Sequence, residues 1–162
     1  MAPKAKIRTI KAIRPHPDAD KLDVVTLMRS QLTYVVEKDS MRAREKTILI
    51  EPGSVLTSKL AKMIGVSKVQ VKKIRNVSSH GLLLPFSKLL EYLEAQTPKP
   101  SQYDYVYNRI KKSVNAWKAG GIDSGWSSAE VYTTDLTQII IGSQHQQSQT
   151  ITQVIETDIL DF

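Results

Sequence analysis

Apolar and polar positions alternate in short runs through the first half of the chain. Residues 5–14, AKIRTIKAIR, alternate loosely through Ile7, Thr9, Ile10, Lys11 and Ile13 and predict a first strand. PHPDAD then forbids continuation: Pro15 and Pro17 lack ladder donors, hold Arg14 and His16 extended, and leave Asp18 and Asp20 to cap the turn with their carboxylates. LDVVTLM and QLTYVVE read as a hairpin across the polar RSQ, KDSMRAREK as a charged connection, and TILIEP as a strand stopped at Pro52-Gly53.

From Ser54 the period changes. SVLTSKLAKMIG gathers Val55, Leu56, Leu60, Met63 and Ile64 near one helical face, with Ser54 as N-cap and Gly65 as terminator. VQVKKIR returns to alternation, and GLLLPFS is a short apolar strand ended by Pro85, with Phe86 read as core. About five short strands with one helix before the last is the layout of a small OB-type Greek-key β-barrel, so the expected class is α+β. SKLLEYLEAQ predicts a turn or two of helix, TPKPSQ a linker, and YDYVYNRIKKSVNAWK an amphipathic helix with Val106, Ile110, Val114 and Trp117 on one face. The Gln-rich segment 137–157 reads as a β-hairpin fit to extend a sheet, its own or a neighbour's. The expected organisation is a barrel over residues 1–90 and a helix and β-hairpin extension over 91–162.

Composition adds limits. The chain has 162 residues and no cysteine, which excludes disulfides and thiolate chemistry and fits a reducing, cytoplasmic setting. No apolar run approaches membrane-span length, and the basic start lacks the apolar stretch of a secretory signal. Charge is uneven: residues 1–100 hold 19 Lys/Arg against 9 Asp/Glu, the remainder 4 against 7, giving +10 and −3. A basic barrel attracts polyanions through phosphate contacts and counterion release, although a cationic face can also serve solubility alone.

Four segments in order, IKAIRPHPDADKLDVVTL, LTYVVEK, TILIEPGSVL and VKKIRNVSSHGLLLPFS, resemble the N-terminal OB domain of a family of RNA ligases found in bacteria and phages. The resemblance covers roughly residues 6–87. The HPDADKL corner is also similar to the tRNA-binding OB domain appended to some aminoacyl-tRNA synthetases, while ILIEPGSVL and GLLLPFS favour the ligase relative. Both resemblances imply RNA, single-stranded or tRNA-like, as partner. MRAREK departs from the Gly-Asp turn usual before the fourth strand of the relatives.

The ligase nucleophile, a lysine in a Lys-x-Asp-Gly setting, has no match. Lys21-Leu22-Asp23-Val24 lacks the glycine, Lys118-Ala119-Gly120-Gly121 lacks the aspartate, and GIDSGWSSAEVY only faintly resembles the segment that follows that lysine in the ligases. Residues 88–162 are also fewer than the roughly 200 that a nucleotidyltransferase domain occupies. No catalytic residue, cofactor or metal is expected. His16, His80 and His145 have no cysteine or helical partner for zinc.

The expectation is therefore a noncatalytic RNA-binding module. Its candidate contacts are Arg14, His16, Lys21, Arg29, Tyr34, Arg42, Arg44, Lys72, Lys73 and Arg75, with cations tracking phosphates and Tyr34 and His16 as stacking groups. Two alternatives stand beside it: an assembly protein, such as a phage or organelle component, that uses the barrel and hairpin for contacts with itself or a protein partner, and one subunit of a split ligase.

Overall fold

The computed structural model describes residues 2–96, 103–123, 125–126 and 129–142. Five antiparallel strands make a nearly closed barrel in the order β3-β2-β1-β4-β7, from β1 (Ala5–Pro15), β2 (Leu22–Leu27), β3 (Thr33–Glu37), β4 (Lys46–Ile50) and β7 (Leu82–Leu84). A separate hairpin, β5 (Lys72–Ile74) with β6 (Val77–Ser79), precedes β7. The expected small α+β barrel is thus found, with the VQVKKIR strand shortened into one arm of that hairpin.

Strand β1 is long because it serves two partners. Its first half, Ala5 to Thr9, pairs with β4, and its second half, Ile10 to Pro15, pairs with β2. Between them the register slips: Ile10 faces Leu27 and Ala12 faces Thr26, so Lys11 is the extra residue of a β-bulge. The bulge turns the strand, and one chain can then wall both halves of the barrel.

Faces alternate accordingly. Ile10, Val25, Leu27, Tyr34, Leu49 and Leu83 form one buried cluster within the barrel. Ile48, Ile50 and Leu84 belong to a second cluster that carries the helices. The LLL and ILI runs are uniformly apolar because β4 and β7 are buried on both faces.

The barrel closes without a continuous ladder between β3 and β7. The Val35 amide donates to the Ser79 hydroxyl at 3.0 Å, the Thr33 hydroxyl to the Ser78 carbonyl at 2.5 Å, and the His80 amide to the Thr33 carbonyl at 3.0 Å. Gly81 lets the chain turn from this seam into β7. Its φ of 147° is open only to glycine, and an added Cβ would sit 2.8 Å from the Ile50 carbonyl oxygen.

The helices are α1 (Ser58–Ile64), α2 (Phe86–Ala95), α3 (Asp104–Lys118) and α4 (Thr133–Ile140), the last preceded by a 3-10 turn over Ala129–Tyr132. The N-cap position of α1 is Thr57 instead of Ser54, because the Ser54 hydroxyl closes the turn after β4 on the Glu51 carbonyl at 2.6 Å. Gly65 ends it in the left-handed conformation. On α3, Val106, Ile110 and Val114 are buried as the spacing predicts, and Trp117 meets Phe86 with ring centroids 5.2 Å apart.

The expected C-terminal hairpin is corrected in its first arm. Residues 137–140 belong to α4, whose Leu136, Ile139 and Ile140 are buried; the Thr57 amide donates to the Ile140 carbonyl and the Ala5 amide to the Thr137 hydroxyl. A helix wins over β-propensity here because its apolar face lands on the second cluster. The rest of that hairpin, with His145, and the TPKPSQ linker lie outside the described residues. No helix among the described residues is long and apolar enough to cross a membrane.

Candidate nucleic-acid interface

The Pro-His-Pro corner between β1 and β2 docks against the turn of the β5–β6 hairpin, and His16 makes the joint. The Asp18 amide donates to His16 Nδ1 at 2.9 Å, so the proton rests on Nε2, which donates to the Ile74 carbonyl at 2.9 Å. His16 is 5% exposed. It therefore holds two backbone segments together and is withdrawn from base stacking. The corner amides use this imidazole and backbone carbonyls, Leu22 N donating to Ala19 O, instead of the expected Asp18 and Asp20 carboxylates. Arg75 adds a long contact, Nη1 to the Asp18 carbonyl at 3.5 Å.

This joint gathers half of the expected contacts. Arg14, Lys21, Lys72, Lys73 and Arg75 are all exposed on the corner and the hairpin. None of them is ion-paired with a carboxylate among the described residues. Lys38, which sequence reasoning passed over, joins them because its amide donates to the Lys21 carbonyl at 2.9 Å. Asp18, Asp20 and Glu37 are exposed beside them and temper the field. Asp23 does not, since its buried carboxylate accepts the Asp39 amide at 2.9 Å.

The other candidates separate. Tyr34 is 2% exposed inside the barrel, and burial pushes its phenol upward from the usual value, with Arg8 opposing; it is core, not a stacking platform. Arg42 turns toward the helices, its Nε 3.5 Å from Glu45 and its Nη2 donating to the Trp117 carbonyl at 3.2 Å. Burial raises the Glu45 carboxyl despite Arg42, and burial lowers the Lys46 amine, which donates to the Thr9 hydroxyl. Arg29 and Arg44 remain exposed, at the β2–β3 turn and in the β3–β4 connection.

Arg29, Arg44 and Arg75 share a backbone anomaly, with φ of 61°, 73° and 47°. The left-handed region is ordinary for glycine and tolerable for Asn76 and Asp39, which also occupy it, but a side chain such as arginine is uncommon there. Such positions cost on the order of 1 kcal/mol each and cluster at functional sites.

The GIDSGW segment has a structural task. Asp123 accepts from both Arg109 guanidinium nitrogens, from the Ser113 hydroxyl at 2.7 Å and from the Gly125 amide at 3.0 Å. Arg109 lies 4.1 Å over the Trp126 ring, and Trp126 Nε1 donates to Ser113. The Arg109 hydrogen bonds hold the Asp123 carboxyl well below its usual range.

No protein-family model matches the chain, and no curated protein matches it. Solved structures of the Naegleria gruberi RNA ligase are similar in part. The ligase with PPi matches at 21% identity over 57% of this chain and 30% of that one, with a TM-score of 0.45. A mutant of it with ATP and Mn matches at 18% over 64% and 33%, TM-score 0.47, and an apo mutant at 20% over 59% and 32%, TM-score 0.48. This chain spans about a third of the length of those ligase chains.

Proposed function

We propose that this protein is a noncatalytic RNA-binding module of the OB type, related to the front domain of RNA ligases. One observation carries the reading: the His16 joint brings Arg14, Lys21, Lys72, Lys73 and Arg75 to one exposed place and leaves their charges without carboxylate partners among the described residues. Cations in that state release counterions when phosphates approach, which is the main source of sequence-independent affinity. The four ordered segments that resemble the ligase family support the choice of RNA over other polyanions. With Tyr34 and His16 buried, the binding is dominated by the backbone and weakly selective for sequence.

Titration with single-stranded and duplex RNA at several salt concentrations tests this. Affinity should fall steeply as salt rises; absence of binding at low salt overturns the reading. Incubation with labelled ATP should leave no covalent adenylate on the chain, and a labelled lysine would restore an enzymatic role.

A second reading, assembly through the extension, is favoured by Tyr105, Ile122 and Val131, which are 54%, 61% and 58% exposed. Its mark would be a concentration-dependent mass that Ile122→Ser with Val131→Ser abolishes.

A further inference from the structure

A second group of cations surrounds the β1 bulge, away from the corner. The Met28 amide donates to the Thr9 carbonyl at 2.9 Å, which sets the β2–β3 turn and Arg29 against one side of β1. On the other side the Arg44 amide donates to the Ile10 carbonyl at 2.8 Å. Arg8 Nη2 donates to the Met28 carbonyl at 2.8 Å, and Lys11 is the exposed bulge residue between them. Of the carboxylates nearby, Glu45 is taken by Arg42 and Glu51 by Lys6. Met28 and Leu32, each 46% exposed, flank Arg29 in the same turn.

We infer that Arg8, Lys11, Arg29 and Arg44 form a second phosphate-binding site at the β1 bulge, which acts with the corner on one stacked single strand of nucleic acid. Residues 9 and 15 are separated by at most about 20 Å at roughly 3.3 Å per strand residue, because the bulge bends the strand between them. At the stacked rise of about 3.4 Å per nucleotide, a single strand needs up to roughly six nucleotides to bridge that span. The two sites therefore read length. The inference rests on the polyanion-binding role proposed above and extends it to the form of the ligand.

The left-handed turns make the test clean, because glycine is the residue those backbones favour. A Lys11→Gln, Arg29→Gly, Arg44→Gly variant should fold as the parent does, as circular dichroism will show. Single-stranded RNA and DNA of 4 and 12 nucleotides are titrated against it, the parent and a Lys21→Gln, Arg75→Gly variant. The bulge variant should lose at least about 10-fold in affinity for the 12-mer, with a shallower salt slope, and keep the 4-mer affinity of the corner. The corner variant should weaken both lengths. A DNA 12-mer that follows the RNA 12-mer assigns the site to the shared phosphate backbone, and loss confined to RNA assigns it to the ribose-bearing strand; either supports a second site. An unchanged 12-mer affinity in the bulge variant, with the parent binding well, overturns the second site alone. Failure of the parent to bind either length overturns the corner reading as well.

Discussion

Within the extension, Arg109 is clasped by Asp123, covered by Trp126 and braced by Ser113; within the barrel, Arg29, Arg44 and Arg75 stand on exposed turns in a backbone conformation that suits glycine better. The same residue type does opposite work in the two regions. Burial made a partner obligatory for Arg109, whose side chain is only 15% exposed, since an unpaired charge there would be costly. Exposure removed that requirement from the turn arginines and left their charge available to a ligand. Charge counts describe both halves as mixtures of acids and bases, but only the barrel carries an uncommitted surplus.

The largest effect should come from breaking the clasp. Asp123→Ala strands the Arg109 guanidinium and should cost about 3–5 kcal/mol in chemical denaturation. Acid should act on the same contact. The folded-state pKa of Asp123 lies below its usual value, so its stabilisation is complete above about pH 4 and declines as pH falls further. Glu45 has the opposite sign: burial raises its folded-state pKa, so it opposes folding at neutral pH and this opposition fades as it protonates. A pH–stability curve of Asp123→Asn should lack most of the acid loss seen in the parent, and Glu45→Gln should be more stable than the parent at pH 7.

A smaller loss belongs to the joint. His16→Ala leaves the Ile74 carbonyl and the Asp18 amide without their partner and should cost about 1–3 kcal/mol by denaturant titration. It should also weaken RNA binding, because the corner and hairpin cations are then no longer held together. Smallest of all, Arg29→Gly, Arg44→Gly and Arg75→Gly should each move stability by less than about 1 kcal/mol while lowering affinity for nucleic acid. Were these substitutions strongly destabilising, the contrast between clasped and free arginines would fail.

The barrel was legible because its strands are short, local and punctuated: proline at the corner, Pro52-Gly53 after β4, and leucine runs where both faces are covered. Ile7, Ile10 and Ile13 carried a further signal. Ile10 and Ile13 pack on the same cluster although spaced by three residues, which a period of two cannot achieve without an extra residue, and Lys11 supplies it, while Ile7 belongs to the other cluster. What sequence missed was set by tertiary contact. Tyr34 looks like a surface aromatic until pairing of β3 with β2 sets it beside Val25 in the barrel cluster. His16 looks like a ligand until Ile74, far along the chain, comes beside it. The apolar residues of TQII suit a strand or a helix, and only the packed surface beneath them decides.

Because the Ser79 and Thr33 hydroxyls and a single backbone bond from His80 stand where a ladder would otherwise join β3 to its neighbour, that edge can part by losing a few contacts while every named strand pair stays intact. Amide protons along β3 should accordingly exchange with deuterated solvent sooner than those of β1, which is flanked on both sides. Locking the edge with a cross-link would slow that exchange and leave the centre of the sheet unchanged.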